Sequence, residues 1–296
     1  MTATAAAPTL ALESQQVRTS HVDGPFGRWT QTEYRPRHLA GVVDGIWYFD
    51  GVVSLPRERV FPNGMLELII QFDQPHRQVD PVLPGRYPPL CATGLITRSF
   101  VIEAPHGRCR VMGIRLHPVG AYALLDVPLS EIGDLTVDLR DLAGHAAAEL
   151  AERCHAAPSD AERVRLAARW LEARLHRGRR AHPAVAWTAA QIAQRPGASI
   201  AELRAVTGLS PTRLATLFRE QVGVTPKRFA RLHRFRRALE MLHEGERSLV
   251  NLALRAGYYD QPHFAREFRE MAGLTPGEFL TSPRYPGGYN LPDASD

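Results

Sequence analysis

Cysteine is scarce in this chain of 296 residues, which has only Cys91, Cys109 and Cys154. The three are far apart and odd in number, so a disulfide framework of the kind found in small secreted proteins is not expected. They form no CxxC pair, which leaves a structural zinc site with little support. The cysteines therefore favour a reducing, cytoplasmic location.

Long hydrophobic runs are also missing. None approaches the ~20 apolar residues that a membrane-spanning helix needs, so we expect no membrane partner. The first residues, Met1 to Leu12, are rich in Ala and Thr and have neither a basic start nor a sustained apolar core. They do not resemble a signal peptide, and we expect residues 1–19 to be a disordered tail.

Lysine is almost absent, because Lys227 is the only one and every other basic residue is Arg or His. The net charge is +5, and its location is informative. Residues 185–284 contain 15 Lys and Arg against nine Asp and Glu, whereas the rest of the chain contains 21 against 22. A basic segment beside a near-neutral one indicates a polyanionic partner for the basic segment.

Residues 20–137 have the pattern of a β-rich domain. Asn63-Gly64 is typical of a turn and leads into the strand candidate Met65–Phe72, and further strands fit Ile46–Phe49, Ser99–Ile102 and Arg108–Leu116. Pro81 to Pro89 is predicted to be a loop. Many short strands separated by turns indicate a barrel or sandwich, so we expect a β-barrel-like sensor or dimerisation domain.

After about Asp138 the β-rich pattern ends, and Ala, Leu, Glu and Arg recur at helical spacing. We expect a helical linker over residues 138–182, with helices at Leu142–His155 and Asp160–His176. Residues 183–281 are predicted to form an all-α domain, followed by a C-terminal tail at 282–296. The expected fold class is therefore α+β.

An internal repeat dominates the C-terminal domain. Residues 199–229 resemble residues 248–279. Matching positions are 49 residues apart before the turn and 50 apart after it, because the second copy has one extra residue in the turn. In the first copy Ser199 and Glu202 form a capping-box pattern, Gly208 can end the helix, and Ser210-Pro211 can start a second helix. Helix, short glycine turn and second helix predict a helix-turn-helix unit, and the repeat predicts two.

Between the copies, Pro226 to Glu244 is predicted to form one long helix that ends at Gly245 and fixes the distance between the units. One apolar face is formed by Phe229, Leu232, Phe235, Leu239 and Leu242.

These residues resemble the DNA-binding domain of the AraC/XylS family. The match comprises Gly208-Leu209-Ser210, Leu214, Phe218 and Gly223-Val224-Thr225-Pro226, and in the second copy Ala256-Gly257-Tyr258, Asp260-Gln261, Phe264, Phe268 and Gly273-Leu274-Thr275-Pro276. The N-terminal part is similar to a sensor-like domain of some of these regulators, through Arg59–Gly64 and Gly113–Pro118. The resemblance implies a bacterial, sequence-specific transcription factor that needs no cofactor and places two units in successive major-groove segments of double-stranded DNA.

The resemblance also implies the DNA-contacting residues: Thr212, Arg213 and Thr216 in the first unit, and Gln261, His263 and Arg266 in the second. Arg pairs well with guanine and Gln with adenine in the major groove. Thr216 and Arg204 depart from the family pattern, which usually has Arg and a small residue there. Candidate phosphate contacts are Lys227, Arg228 and Arg269. RNA polymerase, a small-molecule effector at the N-terminal domain and a second copy of the chain are further candidate partners, and a nucleoid-associated location follows.

Two alternatives stay open. Some repair proteins join an AraC-type unit to a zinc-bound alkyl-acceptor cysteine, but that chemistry needs clustered cysteines. The N-terminal domain could instead be an enzyme fused to a DNA-binding unit, although nucleophile-elbow, P-loop, HExxH and GxGxxG motifs are absent. A metal site from His38, His106, His117 and Cys109 lacks the usual ligand spacing, so we expect no metal and no enzyme.

Overall fold

The computed structural model describes residues 17–79, 85–283 and 290–292. Residues 1–16 of the predicted tail lie outside these ranges, and so do residues 81–84 of the predicted loop. The strands are β1 (Val17–Gly24), β2 (Gly27–Tyr34), β3 (Val43–Val53), β4 (Arg57–Val60), β5 (Leu66–Gln71), β6 (Arg77–Gln78), β7 (Gly85–Arg86), β8 (Leu90–Thr93), β9 (Phe100–Glu103), β10 (Cys109–Leu116), β11 (Thr136–Asp138) and β12 (Leu291–Pro292).

Seven of these strands form one antiparallel sheet in the order β1-β2-β3-β10-β5-β8-β11. In its centre Ile114 of β10 lies opposite Ile46 of β3 and Leu68 of β5, and all three side chains are buried. Their β-branched and aliphatic side chains suit a strand whose face is covered. The expected strands at 46–49, 65–72, 99–102 and 108–116 are thus present, with small differences at their ends.

The fold class is α+β, but the β-rich part is not a closed barrel. Strands β1 and β11 are the two edges of the sheet and do not pair with each other in the described part of the chain. A second, five-stranded sheet has the order β12-β4-β9-β6-β7. Helices from residues 138–182 contact two strands of the large sheet, β3 and β8.

The chain ends differ from the predicted tails. Strand β1 begins at Val17, which pairs with Tyr34, so residues 17–19 belong to the sheet. In the expected C-terminal tail, β12 pairs with β4, and the Asn290 side chain accepts a hydrogen bond from the Phe61 main chain at 3.4 Å. Unpaired main-chain groups at a sheet edge attract such additions, which composition does not reveal.

The helices are α1 (Pro118–Leu124), α2 (Leu139–Ala143), α3 (His145–Ala156), α4 (Asp160–Leu175), α5 (Pro183–Gln194), α6 (Ile200–Thr207), α7 (Pro211–Val222), α8 (Pro226–His243), α9 (Leu249–Ala256), α10 (Gln261–Ala272) and α11 (Pro276–Thr281). In the described ranges, none of them is long and apolar enough to cross a bilayer.

The segment 138–182, interpreted from sequence as a linker, packs on the sheet. The Arg163 guanidinium lies 5.4 Å from the Tyr48 ring centre, and the His155 ring lies 4.8 Å from Phe72. The helix predicted at Leu142–His155 is interrupted near its start, because the chain breaks at Gly144, whose φ of 61° is left-handed. Two helices, α2 and α3, result.

The β-rich and helical parts share an apolar interface. Phe61, which is 2% exposed, lies between Phe235 of α8 and Phe279 of α11, with ring centres 6.3 and 5.8 Å away. Gly64 faces the His233 ring, and a Cβ at this glycine would lie 3.2 Å from Nε2. The Asn63-Gly64 turn is therefore part of the contact between the two halves.

Candidate nucleic-acid interface

The first helix-turn-helix unit consists of α6 and α7. The Ser199 hydroxyl caps α6 by accepting a hydrogen bond from the Glu202 main-chain N–H. Gly208 ends α6 with a φ of 67°, and Ser210 then caps α7 through the N–H of Arg213. Since a left-handed residue is least costly as glycine, this sequence fixes a short turn between the helices.

The second unit, α9 and α10, repeats these contacts. The Ser248 hydroxyl accepts from Asn251 N–H, Gly257 ends α9 with a φ of 90°, and Asp260 caps α10 through His263 N–H. Each second helix then ends in another left-handed glycine, Gly223 in α7 and Gly273 in α10. The predicted duplication is thus a duplication of local structure.

Each second helix, α7 or α10, is here called a reading helix. One face of each is fully buried, as predicted: Phe218 in α7 and Phe264 and Phe268 in α10 are 0% exposed. Phe218 packs on Phe229, and Phe268 packs on Phe235, with ring centres 5.6 and 5.1 Å apart. These aromatic contacts anchor both reading helices on α8, which leaves the opposite faces to solvent.

The solvent face of α7 holds all three predicted residues of the first unit. Thr212, Arg213 and Thr216 are exposed. Arg204, the other departure from the family pattern, donates to the Leu209 carbonyl at 3.3 Å and so braces the turn. The long side chain at position 204 thus has a structural role in the first unit.

The solvent face of α10 holds Gln261 and Arg266, both exposed. Glu270, on the same helix, is paired with Arg231 of α8. Because this ion pair offsets the carboxylate, the acidic group does not oppose a polyanion as a lone charge would.

His263 lies differently from the other predicted contacts. Its ring is partly buried, with Nε2 3.2 Å from the Glu267 carboxylate and the ring centre 5.4 Å from that of Tyr258. Burial alone would raise the pKa of Glu267, but Arg234, His263 and Arg231 outweigh it and hold that pKa below its ordinary value. The His263 side chain therefore supports a charged, buried carboxylate within the unit.

The three candidate phosphate contacts are all exposed, but their surroundings differ. Lys227 and Arg228 lie in the first turn of α8, and Arg269 lies in the last turn of α10. The Arg228 guanidinium donates to the Thr97 hydroxyl at 2.8 Å, and Thr97 is held in turn by Asp134. In this conformation Arg228 therefore binds the β-rich part of the chain.

Arg219 is a candidate contact that the sequence reasoning missed. It is exposed, lies in the last turn of α7, and stands 50 residues before Arg269. The repeat offset was the signal that could have identified it, because Arg269 was already a candidate. The two reading helices thus carry matching basic residues at their C-terminal turns.

Both reading helices end against the β-rich part. A Cβ at Gly223 would lie 3.3 Å from the Leu129 carbonyl, and one at Gly273 would lie 3.3 Å from the Ser99 hydroxyl. Ser99 also donates from its main chain to the Met271 carbonyl at 2.6 Å. The N-terminal ends, which insert most deeply in helix-turn-helix proteins, therefore point away from the β-rich part.

The cysteines and histidines of the alternative functions are not gathered into a site. Burial raises the pKa of Cys91 and Cys109 to about 12 and that of Cys154 to about 11. His38 contacts Glu172 at 2.7 Å, and Cys109 lies 4.0 Å from His76. Within the described residues, no three His, Cys, Asp or Glu side chains are placed to hold a metal ion.

Two family models match the chain. Residues 203–282 match "Helix-turn-helix domain", and residues 32–138 match "Domain of unknown function (DUF6597)". The chain is 32% identical over 71 residues to the arabinose operon regulatory protein of Escherichia coli K12, and 36% identical over 76 residues to the HTH-type transcriptional activator RhaS of E. coli O139:H28. These alignments cover 24% and 26% of this chain, and only 24% and 25% of the relatives' own length.

Among solved structures, ToxT from Vibrio cholerae is similar over 79% of this chain and 97% of that chain, with 11% identity and a TM-score of 0.47.

The capped helix pairs and the family match together define a helix-turn-helix DNA-binding domain in the last third of the chain. Over about a quarter of the chain, this domain is similar to the corresponding part of these two regulators.

Proposed function

We propose that this chain is a sequence-specific transcription regulator that inserts α7 and α10 into successive major-groove segments of double-stranded DNA. The predicted contacts are Thr212, Arg213 and Thr216 in one segment, and Gln261 and Arg266 in the next. Arg219, Arg269 and Lys227 are assigned to phosphates, which position a protein without reading sequence. His263 is assigned to support of α10.

The observation that carries this proposal is the matched pair of reading helices. Both are anchored on α8 by buried phenylalanines, both end against the β-rich part, and both present polar N-terminal turns to solvent. Helix α8 has 18 residues, so it is about 27 Å long at 1.5 Å per residue. That length is comparable with the ~34 Å of one turn of B-DNA, which separates successive groove segments on one face.

The test is selection of bound duplexes from a random pool, followed by footprinting of the full chain on a selected site. We expect two protected major-groove segments about one helical turn apart, and an affinity that falls steeply with salt through counterion release. Absence of any preferred sequence at moderate salt would remove the sequence-specific part of the proposal.

The chain is further proposed not to be an enzyme. Buried thiols with raised pKa values oppose the alkyl-acceptor alternative, because the thiolate is the nucleophilic form. Incubation with DNA carrying labelled methyl lesions should leave the protein unlabelled. Transfer of label to any of the three cysteines would reverse this assignment.

Regulation through the N-terminal part is proposed on the basis of its contacts with both reading helices, with a small-molecule effector as the signal.

RNA polymerase is a proposed partner, for which the exposed apolar Val250 and Leu254 of α9 provide a surface. A homodimer is proposed through β1, an edge strand of the large sheet. A DNA partner places the protein in the cytoplasm, at the nucleoid.

A further inference from the structure

A cleft lies between α3, α4 and the end of α1. Its volume is about 580 Å³, within the range of pockets that hold small molecules. Helix α3 contributes positions 146, 149, 150 and 153, and α4 contributes positions 166, 169, 170 and 173. Both sets have the i, i+3, i+4, i+7 spacing of one helix face, so two regular helix faces form the walls.

The charged residues that line this cleft are mostly positive. Five arginines line it against two carboxylates, Glu149 and Asp126, and the five are Arg153, Arg169, Arg174, Arg177 and Arg179. Arg179 pairs with Asp126 at 3.3 Å, and Arg153 approaches Glu149 at 3.8 Å. The side chains of Arg169 and Arg177 make no ion pair or hydrogen bond within the part of the chain that the structure describes. The cleft therefore has an excess of positive charge.

Arg174 adds a fixed cation to the lining of the cleft. Its guanidinium donates to the Leu124 carbonyl at 2.9 and 3.1 Å and lies 5.4 Å from the centre of the Trp170 ring. Burial lowers the pKa of Arg174 below its ordinary value. In the described chain it forms no ion pair with a carboxylate, so main-chain oxygens and the Trp170 ring hold a partly buried positive charge in place.

The remaining lining is apolar. Leu124, Leu150 and Leu166 contribute side chains, and the Trp170 indole is fixed by its hydrogen bond to the Ala146 carbonyl at 2.9 Å. An inorganic anion would leave the apolar side chains of the cleft in contact with water. A neutral apolar molecule would leave the positive charge of the arginines without a bound counter-charge. Only a molecule with both parts satisfies the whole lining.

We propose that this cleft binds an organic anion with a flat apolar body, whose carboxylate or phosphate group pairs with Arg169 and Arg177 and whose body stacks near Trp170. Arg and such oxyanions form paired hydrogen bonds of matched geometry, which favours these two head groups. Most of the lining lies in the helical segment 138–182, where the sequence indicated only a linker.

The cleft also adjoins the first helix-turn-helix unit. Residues 123–126 line it, and a few residues later Leu129 lies against Gly223 at the end of α7. Tyr122, in the helix that ends at the cleft, donates to Glu220 of α7 at 2.8 Å. Regulation of DNA binding by this ligand rests on the proposed function, whereas binding of the ligand does not.

Calorimetric titration of the full chain, without DNA, tests the site. The probes are 2-naphthoate, 2-naphthyl phosphate, the neutral 2-naphthamide and inorganic phosphate. We expect one of the two naphthyl anions to bind at one site, at least tenfold more tightly than either the amide or inorganic phosphate. The better of the two identifies the head group as carboxylate or phosphate.

Arg169→Gln and Arg177→Gln together should weaken that binding at least tenfold. Their side chains have no partners among the described residues, so folding should be unaffected, as circular dichroism can verify. Arg86→Gln, an exposed arginine on β7, is the matched control and should leave binding unchanged. Equal binding of anion and amide, no binding of either anion, or unchanged binding by the double variant would each overturn the proposal.

A final titration repeats DNA binding with and without the bound anion. A changed DNA affinity would assign the site a regulatory role. If the anion binds but the chain selects no DNA sequence, the proposed function fails while the site remains.

Discussion

At the scale of single residues, Arg266 is the most informative test of the interface. It is exposed on α10, and an arginine that pairs with a guanine contributes roughly 1–3 kcal/mol to binding. Arg266→Ala should therefore weaken binding of a selected duplex by about that amount, as fluorescence anisotropy can measure. Arg86→Ala removes an equal charge from β7 and should have little effect. Identical affinities of the Arg266 variant and the wild type would show that α10 does not contact bases there.

His233 predicts how stability depends on pH. It is 7% exposed in α8, beside Gly64, and burial lowers its pKa to about 3, with further lowering by Arg236 and His117. The unfolded chain takes up a proton below about pH 6.5, whereas the folded chain does not. The folded state therefore loses stability as pH falls from about 6.5 towards 3, by at most about 1.4 kcal/mol per pH unit for this group.

His233→Leu should make that loss shallower, measured by urea unfolding at pH 7, 6, 5 and 4. It should not abolish it, because burial also lowers the pKa of His76 to about 4. His106→Leu is the control, since its side chain is exposed. A variant with the wild-type pH profile would mean that His233 takes up its proton without unfolding.

At the scale of helices, the glycines that end the two helices of the first unit can be compared directly. Gly208 and Gly223 are both left-handed, with φ of 67° and 97°. Alanine in this region costs roughly 1–2 kcal/mol. A Cβ at Gly208 would meet open space, whereas one at Gly223 would lie 3.3 Å from the Leu129 carbonyl. We expect Gly223→Ala to destabilise the protein by about 1 kcal/mol more than Gly208→Ala in urea unfolding. Equal losses would mean that the 129–133 segment yields to the new methyl group.

At the scale of the whole molecule, the β-rich and helical parts share one buried core. Phe61 from the β-rich part packs on Phe235 and Phe279, and Ser99 binds the end of α10. We expect a single unfolding transition, with tryptophan fluorescence and far-ultraviolet circular dichroism giving the same midpoint. Phe61→Ala should lower that midpoint for both signals, because a buried phenylalanine removed to alanine costs about 3–5 kcal/mol. Two separate transitions in the wild type would show that the parts fold independently.

The local structure of the helical third followed from the sequence because its signals are short-range. A capping serine or aspartate, a left-handed glycine and an apolar stripe act within one helix, and each of these three signals occurs in both copies of the repeat. The family resemblance supplied Thr212, Arg213, Thr216, Gln261 and Arg266, and the structure has all five exposed. Local signals could not place His263, whose ring is held by the buried Glu267, because that carboxylate depends on two arginines from another helix.

The sequence alone determined that the C-terminal domain consists of helix-turn-helix units, and which face of each reading helix is buried. Both properties depend on contacts between residues that are a few positions apart. What only the tertiary structure decided depends on contacts between distant segments. The sheet stays open, residues 138–182 cover it, Arg228 binds Thr97, and Asn290 returns to the β-rich part. The arginine-lined cleft exists for the same reason, because burial and charge at a site formed by three separate helices are properties of their packing.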